Sequence, residues 1–159
     1  MKFYDYRLAI IISLSFFLIG CTGFSEKSST NPNQNGKEIT VYKSPSCGCC
    51  SGWEAHLSKA GFKVVSKPTE NMTEIRNQFG VPDKMKSCHT AVIDGYVIEG
   101  HVPASDIIKL LETRPDVAGL SAPGMPPKSP GMQPEGELPA NYDVLSFDRQ
   151  GNAKVFTSY

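Results

Sequence analysis

The chain has 159 residues, and 16 Lys and Arg balance 16 Asp and Glu, so its formal net charge is zero. This length suits one modest hydrophobic core and one domain, which disfavours a multidomain enzyme. A neutral chain with scattered basic residues lacks the surface that phosphate binding requires, so we expect no nucleic-acid partner.

Residues 1–20 have the pattern of an export signal. Basic residues precede an uncharged run over residues 8–19, which is too short to span a bilayer, since a spanning helix takes about 20 residues. The run ends in Leu18-Ile19-Gly20-Cys21, which resembles the lipobox of bacterial lipoproteins, where the signal is cleaved before a lipidated Cys. The alternative is an ordinary signal peptide with an incidental Cys21. We predict a lipoprotein anchored through Cys21 outside the cytoplasm, and Thr22 in place of Asp favours the periplasmic side of the outer membrane in a Gram-negative host.

Residues 21–37 are rich in Ser, Asn, Gly, Lys and Pro and contain almost no apolar side chains. Such a composition is typical of a flexible tether. We therefore place the folded domain at residues 38–159. An odd number of Cys in an exported protein needs an explanation, and assigning Cys21 to lipid leaves four for the domain.

The folded part shows the apolar periodicities and turn signals of alternating strands and helices. Residues Asp94-Gly95 are a strong hairpin signal. The predicted elements are strands at 39–43, 62–66, 90–93 and 96–99, helices at about 47–60, 72–79 and from 103, and a terminal hairpin at 142–147 and 153–157. Between the last helix and that hairpin, residues 119–140 include ten Pro or Gly, so we predict a long loop without secondary structure.

This order predicts an α/β fold with a mixed sheet. Cys47 and Cys50 have C-x-x-C spacing where the first strand turns into a helix, the position of the redox pair in thioredoxin-like proteins. We therefore predict a thioredoxin-like β-α-β-α-β-β-α sandwich with a Pro/Gly/Met-rich loop and an added C-terminal β-hairpin. In such a fold Cys88 and His89, just before the third strand, would face the redox pair.

The thiols indicate a soft metal or redox chemistry. Backbone N–H groups at a helix start favour thiolate over thiol, which raises both nucleophilicity and metal affinity. Cys49 lies between Cys47 and Cys50, and a third thiol would scramble disulfides during each redox cycle. Three thiolates on one turn, with Cys88 opposite, instead favour a soft cation such as Cu(I) or Zn.

The remaining candidate ligands leave alternatives open. His89 is either a ligand or a residue that orients its loop, and we expect His101 to be a turn or capping residue. Met125 and Met132 lie in the near-repeat Pro-Gly-Met and either ligate Cu(I) or dock the loop. Thioether ligands favour Cu(I) over Zn. The alternative is a tetrahedral zinc site of Cys47, Cys50, Cys88 and one of Cys49 or His89.

Several longer stretches carry a resemblance to a known family. They are Tyr42-Lys43-Ser44-Pro45-Ser46-Cys47-Gly48-Cys49-Cys50, Ser87-Cys88-His89-Thr90-Ala91-Val92, the segment from Asp94 to Pro103, and the two Pro-Gly-Met repeats. Residues 39–159 thereby resemble the CopG-type family of small exported copper-resistance proteins, which are thioredoxin-like and bind metal. The resemblance implies copper binding by the four Cys, with interconversion of Cu(I) and Cu(II) as part of copper tolerance.

Two functions follow as hypotheses. The preferred one is an exported protein that sequesters Cu(I) at Cys47, Cys49, Cys50 and Cys88, with more than one copper per chain, or transfers it to other copper-handling proteins. The alternative is a thiol-disulfide oxidoreductase in which Cys47 attacks and Cys50 resolves. A structural zinc site that supports a binding module is a third possibility.

Overall fold

A computed structural model of the protein describes residues 36–159, which form a seven-stranded sheet with three α-helices. The strands are β1 (Glu38–Lys43), β2 (Lys63–Pro68), β3 (His89–Ile93), β4 (Tyr96–Glu99), β5 (Gly119–Ser121), β6 (Asp143–Phe147) and β7 (Ala153–Ser158). The helices are α1 (Gly48–Lys59), α2 (Met72–Gln78) and α3 (Ala104–Thr113). The predicted α/β class is confirmed, and each predicted strand agrees with the observed one to within two residues.

The sheet has the strand order β2-β1-β3-β4-β5-β6-β7. β1 runs parallel to β2 and antiparallel to β3, and β3 forms the predicted hairpin with β4. The order β-α-β-α-β-β-α is therefore present over residues 38–113, and its closer comparison with thioredoxin stays a prediction. Because β3 lies antiparallel to β1, with His89 paired to Lys43, the start of β3 lies beside the end of β1. The topology thus brings together two segments that are distant in sequence.

The structureless loop predicted for residues 119–140 is wrong at its beginning. Gly119–Ser121 form β5, a fully buried strand that pairs with β4 on one side and β6 on the other. Three residues that begin with Gly carry too little periodicity to predict a strand, but hydrogen bonds to two neighbours stabilise it. The terminal hairpin is consequently not a separate unit, because β5 joins β6 and β7 to the main sheet.

Two apolar clusters lie on opposite faces of the sheet. The larger lies beneath α1 and α3 and includes Trp53, Leu57 and Ile98, whereas the smaller includes Val97 and Phe147. Val97 and Ile98 are consecutive in β4, and consecutive side chains of a strand point to opposite faces. One face of α1 packs on the sheet, and its residues Cys50, Trp53 and Leu57 are buried. Packing of this face fixes the start of α1, and with it the Cys segment, against the sheet.

The predicted signal at 1–20, the lipidated Cys21 and nearly all of the tether at 21–37 lie outside the described residues, so these predictions stay predictions. Within residues 36–159, no helix combines the length and the apolar character needed to cross a membrane.

Gly119 allows the close approach of β5 to β4, and its replacement tests that contact. A Cβ at this position would lie 1.9 Å from the Val97 carbonyl oxygen, so Gly119→Ala must displace backbone. We expect the free energy of unfolding to fall by about 1–3 kcal/mol, measured by urea denaturation of the metal-free protein. Gly48→Ala is the matched control, because a Cβ there meets no atom within 4 Å. Equal stability of the two variants would contradict the tight β4–β5 contact.

Candidate metal centre

The first part of the site is the Cys turn, residues 47–50, which begins α1. Cys47 occupies the N-cap position and makes no side-chain capping hydrogen bond, so its sulfur is not engaged in capping the helix. Cys47 and Cys50 are joined by a disulfide, whereas Cys49 is a free thiol. The Cys49 Sγ lies 3.6 Å from the Cys47 Sγ. Three sulfurs therefore share one turn at the positive end of a helix.

Cys88 supplies a fourth sulfur from the segment before β3. It is a free, half-buried thiol, and its Sγ belongs to a group with those of Cys47, Cys49 and Cys50 in which all atoms lie within 4.8 Å of one another. The β1–β3 pairing explains this convergence, because it aligns the exit of β1 with the entrance of β3. The four sulfurs are close enough to share metal ions once the disulfide is reduced.

His101, which we expected to be a turn or capping residue, lies in a bend and also contacts Cys88. The ring is fully buried, and its Nε2 lies 3.0 Å from the Cys88 Sγ. Its Nδ1 lies 2.7 Å from the Pro130 carbonyl oxygen, which only accepts, so Nδ1 donates. In a neutral ring Nε2 then carries the lone pair that faces Cys88, an arrangement typical of metal-ligating His. The sequence signal for this residue is its place two residues after the end of β4, which runs back beside β3.

His89 lies on the other side of Cys88. Its Nδ1 is 3.3 Å from the Cys88 Sγ, and its Nε2 has no hydrogen-bond partner among the described residues. The ring packs against Trp53 at 4.3 Å and against His101 at 5.0 Å between centroids. Burial lowers the pKa of both His89 and His101, so both rings are neutral at neutral pH. Cys88, His89 and His101 thereby form a second group of potential metal ligands.

The Pro/Gly/Met-rich loop approaches the sulfurs at two points. At the first point, Gly124 donates its N–H to the Lys86 carbonyl at 3.1 Å. At the second, Gly131 packs so closely on α1 that an added Cβ would lie 2.7 Å from the Cys49 carbonyl oxygen. The residues that follow these glycines are Met125, which is 57% exposed, and Met132, which is half-buried. Both repeats therefore flank the cluster, and ligation by either thioether stays a prediction.

The electrostatics of the cluster favour a cation. Burial, and after it the negative charge of Cys49, raises the pKa of Cys88 from its ordinary value of 9.0 to about 12. Adjacent thiolates repel one another, and a bound metal ion removes that cost because it draws electron density from each sulfur. Thiolate sulfur with imidazole nitrogen suits copper and zinc and is a poor donor set for magnesium or calcium.

Two solved structures described as "Copper resistance protein copG", Form 1 and Form 2, resemble this chain. Each has a TM-score of 0.72 and 45% sequence identity, and the match covers 79% of this chain and 98% or 99% of theirs. The chain belongs to the CopG family of copper resistance proteins. Residues 85–132 also match a family described as "Protein of unknown function, DUF411". No curated protein gave a significant match.

Family membership confirms the resemblance derived from the sequence motifs. The matched segment at 85–132 contains Cys88, His89 and His101 and ends at the second Pro-Gly-Met repeat. The CopG relatives therefore support a copper-related role for the cluster. The individual ligands predicted from the sequence stay predictions.

The raised pKa of Cys88 predicts slow alkylation. In the metal-free protein with the Cys47–Cys50 disulfide intact, iodoacetamide at pH 8 should modify Cys88 at least about tenfold more slowly than in urea-unfolded protein, because little thiolate is present. The rate should rise as the pH approaches 12, and mass spectrometry of the peptide measures it.

Cys49→Ser is the control for this prediction, because it removes the neighbouring charge and should restore part of the rate. Equal rates in folded and unfolded protein would contradict the assigned environment of Cys88.

Proposed function

We propose that the protein binds Cu(I) through Cys47, Cys49, Cys50 and Cys88 as part of copper tolerance. The observation that carries this proposal is the convergence of four sulfurs within 4.8 Å of one another. His101 and His89 adjoin Cys88 with neutral imidazoles and would add nitrogen ligands at that end. Thiolates can bridge, so we propose more than one copper ion per chain.

Copper is favoured over zinc for two reasons. Four thiolates alone suit either metal, but the thioethers of Met125 and Met132, in the loop that packs beside the Cys turn, favour Cu(I). The solved relatives are described as copper resistance proteins, which supports the same metal. Zinc at Cys47, Cys50, Cys88 and either Cys49 or His89 remains the alternative to test.

The disulfide supports a redox component of the proposal. Cys47 and Cys50 serve as thiolate ligands only after reduction, which takes two electrons. Two Cu(I) ions can supply these electrons, since each becomes Cu(II) while the S–S bond breaks and leaves two thiolates. The reverse reaction re-forms the disulfide and returns two Cu(I) ions. We therefore propose that the Cys turn couples copper binding to interconversion of the two copper oxidation states.

The proposal includes export and anchoring. The export signal, the lipobox-like Leu18-Ile19-Gly20-Cys21 and the tether-like residues 21–37 support a lipid anchor at Cys21 on the periplasmic side of a membrane. Met125 is exposed and follows Gly124, which hydrogen-bonds to the segment before Cys88, and this supports exchange of copper with solvent or with other copper-handling proteins. A soft thioether at the surface gives Cu(I) a first ligand on its way to the thiolates.

Titration with Cu(I) tests the ligand set. The reduced domain, held anaerobically with a competing Cu(I) chelator, should retain copper, and Cys88→Ser or Cys49→Ser should weaken retention at least about tenfold, which is roughly 1.4 kcal/mol. A parallel titration with Zn tests the alternative metal.

Ser46→Ala is the matched control for the Cu(I) titration, because its exposed hydroxyl contacts the Ser44 hydroxyl and its loss removes no sulfur. Absence of copper retention, or retention unchanged in the double variant C49S/C88S, would contradict the proposal.

A thiol-disulfide oxidoreductase is the second candidate, and the Cys47–Cys50 disulfide at a helix start is the observation that favours it. We expect the metal-free protein to reduce a model disulfide such as insulin no faster than free dithiothreitol does, because Cys49 lies 3.6 Å from Cys47 and competes with Cys50 as the resolving thiol. Turbidity of precipitating insulin chains measures the rate. Rapid reduction that disappears in Cys47→Ser would instead establish the oxidoreductase.

A further inference from the structure

The peptide groups around Ser87, the residue before Cys88, are held by one ion pair. Glu99 Oε1 accepts hydrogen bonds from the Ser87 N–H at 2.7 Å and from Arg76 Nε at 3.0 Å. The Arg76 guanidinium donates a second hydrogen bond to the Ser87 carbonyl. That carbonyl belongs to the Ser87–Cys88 peptide bond, so the ion pair fixes the orientation from which the Cys88 side chain departs.

The pair is unusually well buried and well satisfied. The Glu99 side chain is fully buried, and that of Arg76 is 13% exposed. The second carboxylate oxygen, Oε2, accepts from the Thr90 hydroxyl at 2.6 Å. A buried ion pair adds little net stability, because desolvation offsets the attraction. Its directional hydrogen bonds to Ser87 are therefore the more informative property.

Two further contacts converge on Ser87. Gly100, with φ of 73°, packs so closely that a Cβ would lie 2.3 Å from the Ser87 hydroxyl oxygen. That hydroxyl donates to the Gly124 carbonyl in the loop that leads to Met125. The end of β4, helix α2 and the first Pro-Gly-Met repeat thus meet at the residue before Cys88.

We propose that Arg76 and Glu99 are positioning residues for Cys88. They hold the Ser87–Cys88 peptide so that the Cys88 Sγ faces the Cys turn, and they thereby set how many sulfurs reach one copper ion. Both act through the Ser87 peptide groups and not as metal ligands. This inference rests on the proposed function, since it concerns copper bound at the four-Cys site.

A double-mutant cycle with Cys88 tests the proposal. The reduced protein is titrated anaerobically with Cu(I) against a competing chelator in four forms: wild type, Glu99→Gln, Cys88→Ser and the double variant. Glu99→Gln keeps the size of the side chain and removes its charge, and we expect a loss of about 10–100-fold in Cu(I) affinity. In the Cys88→Ser background the same change should alter affinity by no more than about twofold, because Cys88 no longer contributes.

The controls separate positioning from general weakening of the fold. Among the described residues, one other ion pair has both side chains mostly buried: Lys43–Glu54, which joins β1 to α1. Glu54→Gln disrupts this pair and is the matched control. In the Glu54→Gln background, Cys88→Ser should lower the Cu(I) affinity by the same factor as in wild type. Arg76→Lys keeps the positive charge but cannot hold Glu99 and the Ser87 carbonyl with one rigid fork. Arg76→Lys should lose less Cu(I) affinity than Glu99→Gln, and the loss should again require Cys88. If Glu99→Gln fails to fold, Arg76→Lys replaces it in the double-mutant cycle.

The outcomes distinguish this inference from the function beneath it. If wild type retains no Cu(I), the proposed function is wrong and the positioning role falls with it. If wild type binds Cu(I) while Glu99→Gln binds as tightly, the positioning role is wrong and the proposed function stands. The positioning role is likewise wrong if Glu99→Gln loses an equal factor with and without Cys88.

Discussion

Repulsion between neighbouring thiolates is the constraint on which the rest of this structure depends. Pairing of β1 with β3 brings Cys88 to the turn that holds Cys47, Cys49 and Cys50, and four ionised sulfurs at this spacing repel one another strongly. Without metal, the repulsion is relieved in two ways. Cys47 and Cys50 form a disulfide, and a raised pKa keeps Cys88 protonated. A bound soft cation would relieve the repulsion in a third way, and this is why the spacing of the sulfurs favours copper.

The polar groups around the cluster hold it in this arrangement. The Pro130 carbonyl fixes which nitrogen of His101 faces Cys88, and the Arg76–Glu99 pair fixes the peptide before Cys88. The Pro/Gly/Met-rich loop contacts Ser87, which precedes Cys88, and also packs on α1, which carries the Cys turn. Ligands preset by hydrogen bonds bind metal more tightly than mobile ones. These contacts therefore support the metal binding that we propose for the site.

Local signals predicted most of the fold, and the predicted fold placed Cys88 opposite the Cys turn, where the structure has it. Apolar periodicity and the Asp94-Gly95 turn located strands and helices, and C-x-x-C spacing placed the Cys turn at a helix start. β5 was missed because three residues beginning with Gly119 have no usable periodicity, and the tertiary hydrogen bonds that stabilise it leave no local trace. The contact between His101 and Cys88 was also not predicted. This contact arises from the β3–β4 pairing, so the Asp94-Gly95 hairpin signal is the sequence feature that could have indicated it.

We propose that four sulfurs from two distant segments hold copper together. X-ray absorption at the copper edge of the reduced, Cu(I)-loaded protein measures this most directly, because it identifies and counts the atoms bound to copper. We expect a shell dominated by sulfur that loses sulfur when Cys88 becomes Ser. A shell of nitrogen and oxygen alone, or a sulfur count indifferent to Cys88, would contradict it.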